Sequence, residues 1–232
     1  MKNLPSFISN NDDVVKSISD IIVKSDVLSK YPSSTINPDI ITECKRRIFY
    51  KVSGEKYKNK HILKEKHKES SVKKWVEYLS KCKNINLMDS DVVFTDSECN
   101  ICSKVDALLE IDGISYVIKV KPVSDEIFKD VKSNGALKKD AIEVVIQLWL
   151  VEIKDGILIY DNNDNQDYLI FHINKYKPVI NSTIEKCKEI IKHQLTGIKP
   201  NKLKDTNNKE CLICEYRDIC LNKQEEENAG SN

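Results

Sequence analysis

No window of the 232-residue sequence approaches eighteen consecutive apolar residues, which excludes an ordinary membrane-spanning helix. No positively charged stretch followed by an apolar run stands at the N-terminus, so no secretory signal is expected and the protein is expected inside the cell. No segment repeats itself. Net charge is nearly absent as well, the formal total being +1. What is present is a globular composition, 40% hydrophobic and 31% charged, with enough apolar material for a core. At this length one elaborated domain, or a domain with a small appendage, is expected.

The small net charge hides an uneven distribution. From Ile41 to Cys82 thirteen Lys or Arg stand against five Glu. That excess of roughly +8 suits either a polyanion-facing surface or a solvated lysine-rich helix face. The closing "KQEEENAGSN" is acidic and polar, and residues 222–232 are expected to be a disordered tail. Eight cysteines in an intracellular chain point to metal ligands or free thiols rather than disulfides.

Residues 1–38 carry mixed helical patterning and are expected to form an N-terminal helical segment, closed by the break "YPSSTINPD". A helix is expected to start after Pro38 and end near Gly54. A second helix places Val72, Trp75, Val76 and Leu79 on one face. Three strand-like runs follow: "DVVFTD", "CSKVDALLEI" and "ISYVIKV". Asp112-Gly113, between the last two, is a two-residue hairpin signal. "LKKDAIEVVIQLWLVEI" reads as a buried helix with some strand character from its β-branched residues. "GILIYDNNDNQDYLIFHI" reads as a second hairpin. Ser182 and Glu185 suggest a capping box opening a last long helix that Gly197 closes. The fold class is α/β or α+β, with helices around a central mixed sheet.

Cys211, Cys214 and Cys220 follow a C-x2-C-x5-C spacing in "ECLICEYRDICL". Three thiolates do not complete a four-ligand site, so a fourth must come from elsewhere, and Cys44 in "TECKRRIFY" leads. One early cysteine followed by Arg-Arg and an aromatic pair, together with the terminal "CLICEYRDIC", resembles the iron–sulfur branch of the RecB-type nucleases. That branch includes the CRISPR-associated Cas-four-type exonucleases and the nuclease domains of certain helicase–nucleases. The resemblance implies one [4Fe–4S] cluster on Cys44, Cys211, Cys214 and Cys220, stapling the two ends of a nuclease core over residues 39–221. Zinc on the same ligands, or unligated thiols, are the alternatives. Cys99 and Cys102, with Cys82 and Cys187, could form a second four-thiol site, but free buried cysteines explain them more simply.

The resemblance also implies a PD-(D/E)XK restriction-endonuclease-like core: an aspartate on one strand, then acid-x-lysine on the next. "KVDALLEIDGISYVIKVK" places Asp106, position 119 and Lys121 there. The hairpin supports this independently. With Asp112 and Gly113 as the loop, Ile111 pairs with Ile114 and Asp106 falls opposite residue 119, while Lys121 shares that face by period two. Position 119, however, is lysine. Phosphodiester hydrolysis needs Mg²⁺ or Mn²⁺ on carboxylate oxygens, and an ammonium there removes an anion from the site.

Three readings stand for Lys119. The acid is lost and a DNA-binding protein remains, with Lys119 simply paired to Asp106. Alternatively, Glu143, one turn before Gln147, supplies the carboxylate. Glu110 or Asp112 is the third source, disfavoured by its place at the hairpin end. The resemblance assigns substrate positioning to Gln147, although Val151 stands where the family has tyrosine, and a metal-ligand histidine to His67, with His61 as runner-up. His67, Asp106 and Glu143 would hold the metal and Lys121 would assist the attacking water, or hold a phosphate. The implied partners are DNA, single-stranded or with free ends, and a helicase or CRISPR adaptation protein. The competing class is a catalytically inactive DNA-binding or assembly subunit.

Overall fold

The computed structural model describes residues 34–55 and 62–221, the side chains of 62–67 excepted. The N-terminal segment as far as residue 33, the tail from residue 222, and His61 lie outside the described residues.

The first hairpin forms in the expected register. Asp112 (φ 52°) and Gly113 (φ 79°) both take positive φ, which twists a two-residue turn to match its strands. Ile111 pairs with Ile114 as β2 (Ile101–Ile111) meets β3 (Ile114–Val123). β1 (Ile85–Asp96) adds to β2 antiparallel and is longer than "DVVFTD", with a register shift between Leu87 and Asp89. β4 (Asp155–Asn162) pairs parallel with β3, and β5 (Tyr168–Asn174) closes the second hairpin. The result is a five-stranded mixed sheet in the order β1-β2-β3-β4-β5.

A parallel pair needs a crossover, which two helices between β3 and β4 supply: α3 (Asp125–Asn134) and α4 (Lys138–Leu150). Of the others, α1 is Lys45–Val52, α2 is Ile62–Ser80 and α5 is Lys177–Thr196; α6 (Lys209–Leu212) and α7 (Arg217–Leu221) are short. Val72, Trp75, Val76 and Leu79 of α2 cover one sheet face, against Ala107, Leu109, Ile118 and Val120. Phe128 and Val131 of α3, with Val144 and Leu148 of α4, cover the other, against Val117, Leu158 and Tyr160. Behind α4, Ile146 packs with Ile48 and Val52 of α1 and Ile190 of α5. That sandwiched position explains why α4 is buried nearly all round beyond its first two residues, and helical despite its β-branched residues. Gly156 lets α4 lie close: a Cβ there would stand 2.7 Å from Val144 Cγ1. Val117, Ile118 and Val120 are fully buried, at roughly 1.5–3 kcal/mol per large aliphatic side chain, so β3 is the anchored strand.

Several expectations need correction. The helix expected after Pro38 is a 3-10 turn, Pro38–Ile40, and α1 begins only at Lys45, with Cys44 at its N-cap. Residues 41–44 break the helix there and leave Cys44 at its mouth. Ser182 does not open the last long helix: α5 starts at Lys177, because Pro178 in the first turn lacks only an N–H that the helix would leave unpaired anyway. α3 was not foreseen, being short and only partly apolar. Gly197 (φ 68°) ends α5 as expected. Ile36, before the expected domain start, is fully buried and bridges Ile101. Cys99, Cys102 and Cys187 are buried free thiols; burial first, with neighbouring acidic groups, pushes Cys99 up to about 11 and Cys187 up to about 12. Cys82 is half-buried. Among the described residues no helix is long and apolar enough to cross a membrane.

Candidate active centre and cysteine pocket

The alternation of β2 slips at Asp106. Val105 packs with the cluster under α4 and Ala107 with the cluster under α2, although period two would put both on one face. The pairing with β1 passes from Ser90–Ala107 to Val92–Val105, and the skipped residue, Asp91, has φ 62°. The pairing with β3 ends at Ala107–Ile118. Past that point the Asp106 side chain takes over from the backbone: its Oδ2 accepts the Val120 N–H at 2.8 Å. Its Oδ1 faces Lys119 Nζ at 3.3 Å, so the expected opposition of Asp106 and Lys119 is realised through side chains.

Lys119 is shared. Its Nζ lies 3.0 Å from Glu143 Oε1 on the second turn of α4. Glu143 Oε2 accepts from Lys121 Nζ, which also lies 3.3 Å from Asp140 Oδ1. The Tyr160 hydroxyl donates to Asp140 Oδ2 at 2.9 Å and its oxygen accepts the Leu137 N–H at 3.0 Å. One polar chain therefore runs from β2 through β3 and α4 to β4. Lys119, Asp106, Asp140 and Glu143 are all buried.

The charges act on one another strongly. Burial alone pushes the Glu143 carboxyl up, but Lys119, Lys121 and Lys68 outweigh it and hold the group well below the usual glutamate range. Burial lowers Lys121, yet Glu143 and Asp140 carry it above its ordinary value against the repulsion of Lys119. Lys68 of α2 is pushed down, first by the like charge of Lys119 and then by burial. Burial and the Asp140 carboxylate push the Tyr160 hydroxyl up.

Asp140 and Lys68 were missed from sequence. Asp140 lies three residues before Glu143 on the same helix, a spacing that puts both on one face and was available as a signal. Lys68 adjoins His67, which lies on α2 with its side chain outside the described residues. Gln147 is buried on α4, its Nε2 bonded to Ser103 Oγ (3.2 Å) and the Lys104 carbonyl (3.0 Å), which ties α4 to β2. Glu110 and Asp112 lie at the far end of the hairpin.

Cys44, Cys211, Cys214 and Cys220 line one pocket with Tyr216 and Arg217. Polar contacts close it from both ends of the chain: the Cys44 N–H donates to Glu210 Oε1 (2.6 Å), and Arg47 pairs with Glu215 (2.7 Å) and Glu43 (3.2 Å). Asn208 caps α6 by accepting the Cys211 N–H at 2.9 Å. The Tyr50 and Tyr216 rings stack with centroids 5.4 Å apart. Burial, then the nearby Cys44 and Cys220, push the Cys211 thiol up.

Among the described residues no group of three or more His, Cys, Asp or Glu is set in metal-ligand geometry. The donor chemistry nonetheless differs between the two places. The cysteine pocket offers four thiols, the donor type an iron–sulfur cluster takes, though they are not set in ligand geometry. The acidic centre does not fit Mg²⁺ or Mn²⁺, because an ammonium stands where carboxylate oxygens would have to converge.

In sequence, no family model and no curated protein matches this chain. Solved structures do match. The structure of SSO0001 is 18% identical with a TM-score of 0.55, covering 90% of this chain and 96% of its own. The alkaline exonuclease LHK-Exo from Laribacter hongkongensis is 9% identical with a TM-score of 0.55, covering 72% and 90%. Its complex with dAMP gives 10% and 0.54 over the same shares. At these identities the likeness is one of fold: this chain has the mixed sheet and flanking helices of an exonuclease-like fold.

Proposed function

We propose that this chain is an iron–sulfur, RecB-like member of the PD-(D/E)XK nuclease fold that binds DNA with single-stranded or free ends and does not hydrolyse it. One observation carries the reading: Lys119 Nζ lies between Asp106 and Glu143, at 3.3 and 3.0 Å. Two of the carboxylates that would hold Mg²⁺ or Mn²⁺ are thereby committed to an ammonium. The exonuclease-like fold and the dAMP complex of LHK-Exo support a nucleic-acid ligand. The lysine-rich stretch of residues 41–82 supports attraction to phosphates. A [4Fe–4S] cluster on Cys44, Cys211, Cys214 and Cys220 holds α1 against α6 and α7, a structural role. A helicase or CRISPR adaptation partner would supply or use the DNA end.

A second reading keeps the enzyme. Three carboxylates, Asp106, Asp140 and Glu143, gather around the two lysines, and a metal could hold them if Lys119 swung away. Fluorescence anisotropy on labelled single-stranded DNA at rising salt, with a gel of the same DNA after incubation with Mn²⁺, separates the readings. Salt-sensitive binding with intact DNA is expected. Cleavage abolished by Glu143→Gln establishes the second reading instead, and absence of binding sinks both.

A further inference from the structure

We infer that the Lys119 ammonium is a tethered stand-in for a divalent cation, so that this centre is electrically complete without metal and rejects one. The inference rests on the nuclease-fold reading above and deepens it. Three ammonium groups, on Lys68, Lys119 and Lys121, act on three carboxylates, those of Asp106, Asp140 and Glu143. Among the described residues of this cluster the formal charges cancel.

Lys119 holds the innermost position. It touches a carboxylate from β2 and one from α4, the bridging a hard cation performs between two elements. Its side chain is only 4% exposed. A divalent ion entering here must either expel that side chain or settle beside it. Expulsion strips two carboxylates of their closest counter-charge. Settling beside it sets like charges a few ångströms apart in a low-dielectric interior.

Charge arithmetic then makes a graded expectation. Lys119→Gln lowers the charge of the cluster by one, and Lys119→Glu lowers it by two, the charge of a single Mn²⁺. Affinity for Mn²⁺ should rise in the order wild type, Lys119→Gln, Lys119→Glu. Each unit by which the cluster becomes more negative should tighten Mn²⁺ binding by about tenfold, equivalent to ~1.4 kcal/mol.

The test titrates Mn²⁺ into the full-length chain and these two variants, reading bound ion by electron paramagnetic resonance and melting each protein in chelator and in excess Mn²⁺. The Lys119→Glu variant should bind one additional ion, melt several degrees higher with Mn²⁺, and lose both effects when Asp106→Asn is added. Wild type should show neither. If Lys119→Glu fails to fold in chelator, recovery on adding Mn²⁺ supports the inference, and Lys119→Gln carries the affinity comparison. A wild-type Mn²⁺ site that Asp106→Asn removes, or binding indifferent to residue 119, overturns it. DNA is absent from this experiment, so the outcome is separable from the functional proposal: a chain that ignores DNA defeats that proposal and leaves this inference standing.

Discussion

Lys119 Nζ lies 3.0 Å from Glu143 Oε1, joining the middle of β3 to the second turn of α4 beneath a sheet face closed to solvent. A buried ion pair is weak evidence of net stability, but breaking one side of it is costly, because the remaining charge keeps its desolvation penalty. Lys119→Met conserves length and volume while leaving Asp106 and Glu143 short of a counter-charge. It should destabilise the fold by about 3–5 kcal/mol, read as a lower midpoint in urea. An unchanged midpoint would mean that water reaches these carboxylates and that Lys119 is not their main partner.

Asp161, near the end of β4, accepts Ser71 Oγ at 2.5 Å and Lys74 Nζ at 2.9 Å, and so ties α2 to the sheet. Burial pushes its carboxyl up, but Ser71 and Lys74 together hold it below its ordinary 3.8. A depressed native value means that the unfolded chain binds the proton more readily. The contribution is therefore complete above the ordinary value and disappears as pH falls through the native one. Asp161→Asn should cost about 1–2 kcal/mol at neutral pH, mostly through Ser71, because the exposed end of Lys74 is screened by water. Urea midpoints of both proteins should converge in acid, and a gap that stays constant down to acid pH contradicts the assignment.

The cysteine pocket makes a compositional prediction. Purified without oxygen, the chain should be coloured, absorb broadly in the visible, and carry about four irons. Cys214→Ser should remove the colour and most of the iron. The two ends should loosen without separating, because the Arg47–Glu215 pair and the buried Tyr216 still join them once the cluster is gone. Protection from hydrogen exchange in α1 reads the docking. Zinc in place of iron in the metal analysis would reassign the site.

Parts of this molecule were legible in sequence because they follow from local rules. The Asp112-Gly113 turn fixes the β2–β3 register, and the apolar face of α2 follows from helical period. The placement of Lys119 beside Asp106 came from counting back through that register. What local rules did not yield was tertiary. The slip at Asp106 arises where β1 and β2 skip a pair at Asp91, and no composition signal marks it. Asp140 matters only because α4 lies over β4, as Gly156 permits. Pro178 within the first turn moved the start of α5 ahead of the Ser182 that looked like its cap.

The most direct test of the account incubates this protein and its Lys119→Glu variant, both purified without oxygen, with end-labelled single-stranded DNA and Mn²⁺. Both should bind the DNA, and only the glutamate variant should shorten it. Shortening by the unaltered protein would contradict this, since an ammonium between Asp106 and Glu143 would then not have closed the centre.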